Sequence, residues 1–108
     1  MAITEISEVF KKMPEVFNAG AGENMSAVFQ FEISGPGGGE WYANIENGTC
    51  LVSEGSHQDP SLTIKTSSET WLAIVNQEIN AISAFMGGKL KVSGDIMLAQ
   101  RIPELFPF

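Results

Sequence analysis

The sequence predicts a single domain, residues 1–108, that mixes α-helices with β-strands. Two observations predict this class. Apolar residues recur at helical spacing near the N-terminus and in the C-terminal third, whereas the middle of the chain alternates apolar and polar residues as half-buried strands do. Between two of these alternating runs stands Asn47-Gly48, the strongest short signal for a β-hairpin. The predicted order is one helix, four strands, two helices, a fifth strand and a last helix.

The first helix is predicted over residues 4–17, with Thr4 as its N-cap. Its apolar positions, at helical spacing, are Ile6, Val9, Phe10, Met13, Val16 and Phe17. Pro14 has no N–H, and its ring clashes with the preceding turn, so we expect a kink or a stop near Met13.

The strands follow from alternation with a period of two. The inward positions of the first strand are Ala27, Phe29, Phe31 and Ile33, with Val28, Gln30, Glu32 and Ser34 on the other face. A second strand is predicted at 40–46, after a glycine-rich turn, and a short fourth strand contains Leu62 and Ile64. Residues 89–93 form the fifth strand.

The hairpin has a definite register. A two-residue loop at Asn47-Gly48 pairs Ile45 with Cys50. It also pairs Ala43 with Val52. Because directly paired residues share a face, all four fall together on the apolar side of the sheet.

Three helices are predicted after the fourth strand. Ser67 or Ser68 caps a helix that runs to about residue 76, and Asn80 caps a shorter helix over 81–86 that ends in two glycines. Asp95 caps the last helix, which runs to about residue 106 and contains Pro103. We expect this proline to bend the helix or to end it early.

Three helical segments carry more apolar residues than one core-facing stripe requires. They are residues 71–75, 79–86 and 96–106. A helix buried on several sides explains such an excess, and so does a helix that lines an apolar cavity or meets a partner chain. Residues 96–99 are all apolar and point all round their helix.

The composition excludes several classes of protein. Hydrophobic residues make up 44% of the chain and charged residues 18%, which is too apolar for intrinsic disorder. Thirteen acidic residues against six basic ones give a net charge of -7. The chain therefore lacks the clustered cations that nucleic acids and anionic membranes attract. We expect no nucleic-acid partner and at most transient membrane contact.

The N-terminus and the cysteine content predict a cytoplasmic protein. The first ten residues carry acids where a secretory signal is basic. Cys50 is the single cysteine, so no internal disulfide can form, which fits a reducing compartment. No run approaches the roughly 20 apolar residues of a membrane span.

The sequence contains almost no residue pattern that is typical of a catalytic site, so we expect that the protein is not an enzyme. His57, the single histidine, lies in a polar loop, and Cys50 points to the core face of a strand, where a thiol behaves as a small hydrophobe. One cysteine and one histidine do not make a zinc site. The glycine-rich runs lack the Lys-Ser/Thr pair of a phosphate loop. We expect no metal and no cofactor.

One long stretch resembles a known family. Residues 84–99, AFMGGKLKVSGDIMLA, are similar to the C-terminal signature of the sterol carrier protein type 2 (SCP-2) family. The strand at 28–33, Trp41, Asn47-Gly48 and Asp59-Pro60 agree with that family in their order along the chain. The chain looks like the free-standing bacterial or archaeal form of this domain.

The resemblance implies a fold and a function. The fold is α+β, a five-stranded, mostly antiparallel sheet that about four to five helices cover on one face, with a hydrophobic tunnel between the layers. The function is to bind and carry a sterol, fatty acid, fatty acyl-CoA or other lipid without catalysis, as a monomer or weak homodimer. Carried over by position, the tunnel is lined by Phe31, Ile82, Phe85, Met97 and Gln100. The full set of expected lipid-binding residues adds Phe29, Leu72, Val75, Met86, Ile102 and Phe106.

Two residues depart from the family pattern. Gln77 stands where family members often have glycine, and Ala81 where they often have proline. Either Asn76 takes the left-handed conformation that ends the second helix, or the two helices run closer together. Both alter the tunnel mouth.

The apolar excess also allows a different class of function. A dimerisation or scaffolding module would use the same residues against a protein partner, and the sequence does not separate a cavity from an interface. A small enzyme is the third hypothesis.

Overall fold

The computed structural model describes residues 3–107, so Met1, Ala2 and Phe108 lie outside the described part. The described strands are β1 (Ser26–Ser34), β2 (Gly39–Glu46), β3 (Thr49–Glu54), β4 (Leu62–Ser67) and β5 (Leu90–Gly94). The described helices are α1 (Ile6–Val16), α2 (Ser68–Val75), α3 (Ala81–Met86), α4 (Ile96–Ala99) and α5 (Ile102–Leu105). The α+β class and the predicted order of elements are confirmed.

The five strands form one sheet in the order β3-β2-β1-β4-β5. Three neighbouring pairs are antiparallel, and the pair β1 and β4 is parallel. The chain thus builds the meander β1-β2-β3 and then crosses back to the free side of β1. As a result β1 is the central strand. The predicted mostly antiparallel sheet is confirmed.

The hairpin between β2 and β3 has the predicted register. Ile45 pairs with Cys50, and Ala43 pairs with Val52. The φ angles at Asn47-Gly48 are 50° and 79°, which is the positive pair that a type I′ turn needs.

Helix α1 differs from its prediction in its N-cap and in the effect of Pro14. Its N-cap is Glu5, with no side-chain capping bond, so the prediction of Thr4 was wrong. The helix also continues through Pro14 to Val16 instead of stopping near Met13. Pro14 lies in the last turn, where one lost backbone bond is outweighed by burial of the apolar face.

The last helix is divided into α4 and α5. The α-helical ladder breaks at Gln100 and Arg101, earlier than Pro103, which lies in the first turn of α5. Pro103 has no N–H to donate to the carbonyl of Ala99, four residues before it, so the interruption follows from the proline. The expectation that Pro103 bends the helix or ends it early is met as an interruption, which lies two to three residues N-terminal to the proline itself.

Aromatic rings join the sheet to the first two helices. The Phe10 ring stacks on Trp41 at 4.5 Å and meets Phe31 edge-on at 5.2 Å between centroids. Phe31 in turn lies 5.3 Å from the ring of Trp71 in α2. These contacts connect α1, β1, β2 and α2 into one core.

Gln30 breaks the predicted alternation of β1. It belongs to the outward, polar set, yet it is only 3% exposed. Its amide donates to the carbonyls of Trp41 at 3.2 Å and Gly55 at 3.1 Å, and its Oε1 accepts from the His57 N–H at 2.8 Å. The loop after β3 therefore covers the outer face of the sheet at this point.

Among residues 3–107, none of the helices combines the length and the apolar character that crossing a membrane requires.

Replacing Gly48 with alanine should destabilise the protein by about 1–2 kcal/mol, because alanine resists the left-handed conformation. Space is not the cause, since an added Cβ would lie 3.6 Å from the nearest atom, the Ala19 carbonyl oxygen. Urea unfolding measures the effect. Gly20→Ala is the control, because Gly20 has no positive φ and similar room. An equal loss of stability in both variants would contradict the assignment of the cost to the turn.

Candidate functional site: two cavities beside helix α3

The connection from α2 to α3 ends in a left-handed residue. Gln77 has φ 61°, whereas Asn76 has φ -85°, so the expectation that Asn76 takes the left-handed conformation was wrong. The Glu78 N–H donates to the carbonyl of Ala73 at 2.8 Å, and the Gln77 N–H to that of Ile74 at 3.0 Å. This is the Schellman arrangement, in which the left-handed position usually holds glycine.

Asn76 instead uses its side chain to hold the N-terminal segment. Its amide donates to the Ile3 carbonyl, and its Oδ1 accepts from the Ile3 N–H, both at 2.8 Å. The end of α2 is thereby fixed to the chain just before α1.

Helix α3 begins as predicted and is only lightly anchored. The Oδ1 of Asn80 accepts from the N–H groups of Ile82 at 2.7 Å and Ser83 at 3.4 Å. Ala84 is its one buried residue. Ala81 is half-buried, and the other four side chains of this short helix are exposed.

The first cavity beside α3, which we call the α2–α5 cavity, has a volume of about 380 Å³. Its floor is apolar and buried, and its rim is formed by the exposed residues that join α2 to α3. It is lined by Met13, Trp71, Ile74, Val75, Gln77, Glu78, Ile79, Asn80, Ala81, Ile102, Pro103, Phe106 and Pro107.

The second cavity, which we call the α3–β5 cavity, is smaller, at about 100 Å³. Apolar side chains dominate its wall, and Gln100 supplies a side-chain amide. It is lined by Ala81, Ile82, Phe85, Leu90, Val92, Ile96, Ala99, Gln100 and Pro103. Since Ala81 and Pro103 line both cavities, these two residues stand between them.

A further depression of about 560 Å³ lies on the polar edge of the sheet. Its wall includes Glu32, Lys65, Lys89 and Lys91. The Nζ of Lys65 is 3.9 Å from a carboxylate oxygen of Glu32. This charged, open surface does not suit an apolar ligand.

The eleven expected lipid-binding residues fall into four groups. Val75, Ile102 and Phe106 line the α2–α5 cavity, and Ile82, Phe85 and Gln100 line the α3–β5 cavity. Phe29 and Phe31 are buried in the core, and Leu72 is half-buried against it. Met86 and Met97 are 81% and 70% exposed, and neither lines either cavity.

Several lining residues were missing from the expected set. Met13 comes from the opposite end of the chain, and Trp71 was noted only as part of the apolar excess in α2. The sequence predicts that Ala81 alters the tunnel mouth and that Pro103 bends or ends the last helix, but it does not predict that either residue lines a cavity. Both residues line the same two cavities although they lie far apart along the chain, and no local pattern signals this.

His57 contacts Gln30, Asp59 and Tyr42, and none of these contacts suggests catalysis. Its backbone N–H donates to Gln30, its Nδ1 accepts from the Asp59 N–H at 3.0 Å, and its ring packs edge-on against Tyr42. Within residues 3–107, no three His, Cys, Asp or Glu side chains are grouped so that they could hold a metal ion. Cys50 is half-buried on the hairpin, and burial raises the pKa of its thiol to about 11.

A comparison with protein-family models matches residues 9–107 to the SCP-2 sterol transfer family. This chain belongs to that family. Membership of this family supports lipid binding and transfer in general. The expected family is confirmed, and so is the α+β fold of a five-stranded sheet with about five helices.

Curated relatives of this SCP-2 domain are longer proteins. Sterol carrier protein 2 of Homo sapiens is 33% identical over 86 residues, covering 77% of this chain and 16% of that protein. Hydroxysteroid dehydrogenase-like protein 2 of Rattus norvegicus is 28% identical over 101 residues, covering 93% of this chain. The chain spans only 19% of the length of that relative.

Solved structures share the fold. Sterol carrier protein 2 like 2 from Aedes aegypti, in a crystal structure, superposes with a TM-score of 0.75 at 25% identity, covering 94% of this chain and 93% of that one. A solution structure of palmitated SCP2L2 from the same organism gives a TM-score of 0.72 at 20% identity, with the same coverage.

The raised pKa of Cys50 predicts that its thiol reacts slowly with alkylating reagents. At pH 8 the thiolate fraction should be roughly a hundredfold below that of an unperturbed cysteine, because the thiolate is the nucleophile and burial disfavours it. The rate of alkylation by iodoacetamide should rise with pH up to about 11 while circular dichroism shows the protein folded. A midpoint near 9 would contradict this environment for the thiol.

Proposed function

We propose that this SCP-2 domain binds the apolar part of a lipid, sterol or acyl chain in the two cavities beside α3 and carries it without catalysing a reaction. The observation that supports this proposal is the pair of cavities with largely apolar walls that share Ala81 and Pro103 among their lining residues. Membership of a sterol transfer family supports the same function.

The size of the cavities fits part of a long, narrow ligand. The α2–α5 cavity, at about 380 Å³, lies at the lower end of the range of ligand sites, about 300–1,000 Å³. The α3–β5 cavity, at about 100 Å³, is too small alone. An alkyl chain of a ligand that passes between Ala81 and Pro103 occupies both cavities. Its binding free energy comes from burial of alkyl surface, about 25 cal/mol per Å² before the cost of association.

Helix α3 is the wall that moves to admit the ligand in this proposal. Ala84 is its one buried side chain, so an outward shift of α3 uncovers little core. Gly87 and Gly88 follow the helix, and Gly88 has φ 79°, a conformation that glycine adopts without strain. These two features allow α3 to swing while β4 and β5 stay paired.

A relative supports an acyl chain as one ligand, because SCP2L2 of Aedes aegypti has been solved in palmitated form. For this chain we propose a lipid carrier of the cytoplasm, with no catalytic step and no cofactor of its own. The dehydrogenase-like relative is a longer protein, and its name describes that protein.

Ala81→Trp should lower the affinity for a fluorescent fatty-acyl probe by about tenfold or more, because an indole fills the space between the two cavities. The matched control is Met86→Trp, which adds the same indole to the same helix at a side chain exposed to solvent. Fluorescence titration measures affinity, and thermal unfolding shows that both variants fold. An equal loss of affinity in both variants, or no loss in either, would contradict binding in these cavities.

A dimerisation or scaffolding module is the second candidate, and one observation favours it. Large apolar side chains of α3 and α4 are exposed, among them Ile82, Met86, Ile96 and Met97. Exposed apolar patches often mark protein interfaces.

Sedimentation velocity over a hundredfold range of protein concentration separates the two functions. For the carrier we expect a monomer or a weak dimer whose probe affinity does not change with association. A tight dimer that Met86→Lys and Met97→Lys dissociate, with no probe binding in either state, would support the scaffold and overturn the carrier.

A further inference from the structure

Trp71 carries a buried hydrogen-bond donor without an acceptor. Its side chain is 2% exposed, and its Nε1–H has no hydrogen-bond partner among the described residues. Buried polar groups nearly always find a partner, so an isolated one requires an explanation. The indole ring itself is well packed, 5.3 Å from the ring of Phe31.

The same indole borders the α2–α5 cavity. Met13, Val75 and Phe106, which share that wall with Trp71, have no oxygen or nitrogen in their side chains. The polar residues Gln77 and Asn80 lie at the exposed rim. The floor of the cavity therefore offers a ligand apolar surface, and one of the residues that form it, Trp71, carries the unpartnered N–H.

None of the described residues that line the cavity carries a positively charged side chain. Among the described residues that line it, Glu78 is the one charged side chain, and it lies at the rim. The nearby guanidinium of Arg101 donates instead to the Ala21 carbonyl at 2.6 Å and lies 3.6 Å from Glu104. An ionised carboxylate on the cavity floor would have no counter-ion, which makes its burial costly.

We infer that this cavity takes a long-chain ligand with an uncharged acceptor oxygen, an ester or ketone carbonyl or a hydroxyl, that accepts a hydrogen bond from Trp71 Nε1. The inference rests on the proposed carrier function and specifies its ligand class. It also states that an ionised fatty acid is disfavoured. The Nε1 atom is covered in this structure. A wall side chain therefore shifts when the ligand enters, and the unbranched thioether of Met13 is suited to do so.

Three ligands of matched chain length test this inference on the full chain: methyl palmitate, hexadecane and palmitate, delivered from cyclodextrin at a pH where palmitate is ionised. We expect methyl palmitate to bind roughly tenfold tighter than hexadecane, allowing for one added hydrogen bond. Palmitate should bind at least about tenfold more weakly than its ester. In ¹⁵N-labelled protein, methyl palmitate should shift the Trp71 indole N–H resonance downfield, and hexadecane should not.

Two conservative variants test whether the preference for methyl palmitate over hexadecane comes from the Trp71 N–H. Trp71→Phe keeps the ring and removes the N–H, so it should reduce the preference for methyl palmitate over hexadecane to about one. Trp41→Phe should keep that preference, because Trp41 does not line the cavity. The wild-type resonances decide the outcome even if Trp71→Phe fails to fold.

The outcomes separate the inference from the proposed function. Binding of all three ligands with equal affinity, or a methyl palmitate complex without a shift of the Trp71 resonance, would overturn the role of Trp71 and leave the carrier standing. Tighter binding of palmitate than of its ester would overturn the preference for an uncharged oxygen. No binding of any of the three would overturn the carrier function itself.

Discussion

The rest of the structure depends on the aromatic contacts made by the inward face of β1. Phe31 touches Phe10 of α1 on one side and Trp71 of α2 on the other, and Phe10 stacks on Trp41 of β2. Because β1 is the central strand, these rings tie the two helices that precede and follow the first four strands to the middle of the sheet. Aromatic pairs of this kind add to the burial energy of their large surfaces.

The same arrangement leaves the other end of the helix layer loosely filled. Helices α1 and α2 bury several large side chains, whereas α3 buries only Ala84 and α4 buries none. Because α3 and α4 bury so few side chains, the space beside them is not filled. This unfilled space forms the two cavities. The two cavities and the light anchoring of α3 therefore have one physical origin: the apolar residues of this region exceed what the core encloses.

Much of the fold could be predicted from local patterns. The hairpin at Asn47-Gly48, the cap at Asn80 and the interruption caused by Pro103 each depend on a few neighbouring residues and on strong backbone preferences. The errors had both distant and local causes. Gln30 is buried because the loop at Gly55 and His57 folds over it, which β-strand alternation does not reveal. Gln77 adopts a left-handed conformation that its residue type disfavours.

The sequence by itself determined the elements, their order and the family, because periodicity, turns and caps are local and the family motif is continuous. The tertiary structure alone decided which apolar side chains are core, cavity wall or surface. Phe31, Phe85 and Met97 look alike as apolar residues, yet they are buried, lining a cavity and exposed, respectively. It also revealed the lone N–H of Trp71. The burial of each side chain depends on which distant segments of the chain pack beside it. The pattern of hydrophobic residues along the sequence does not show which segments these are.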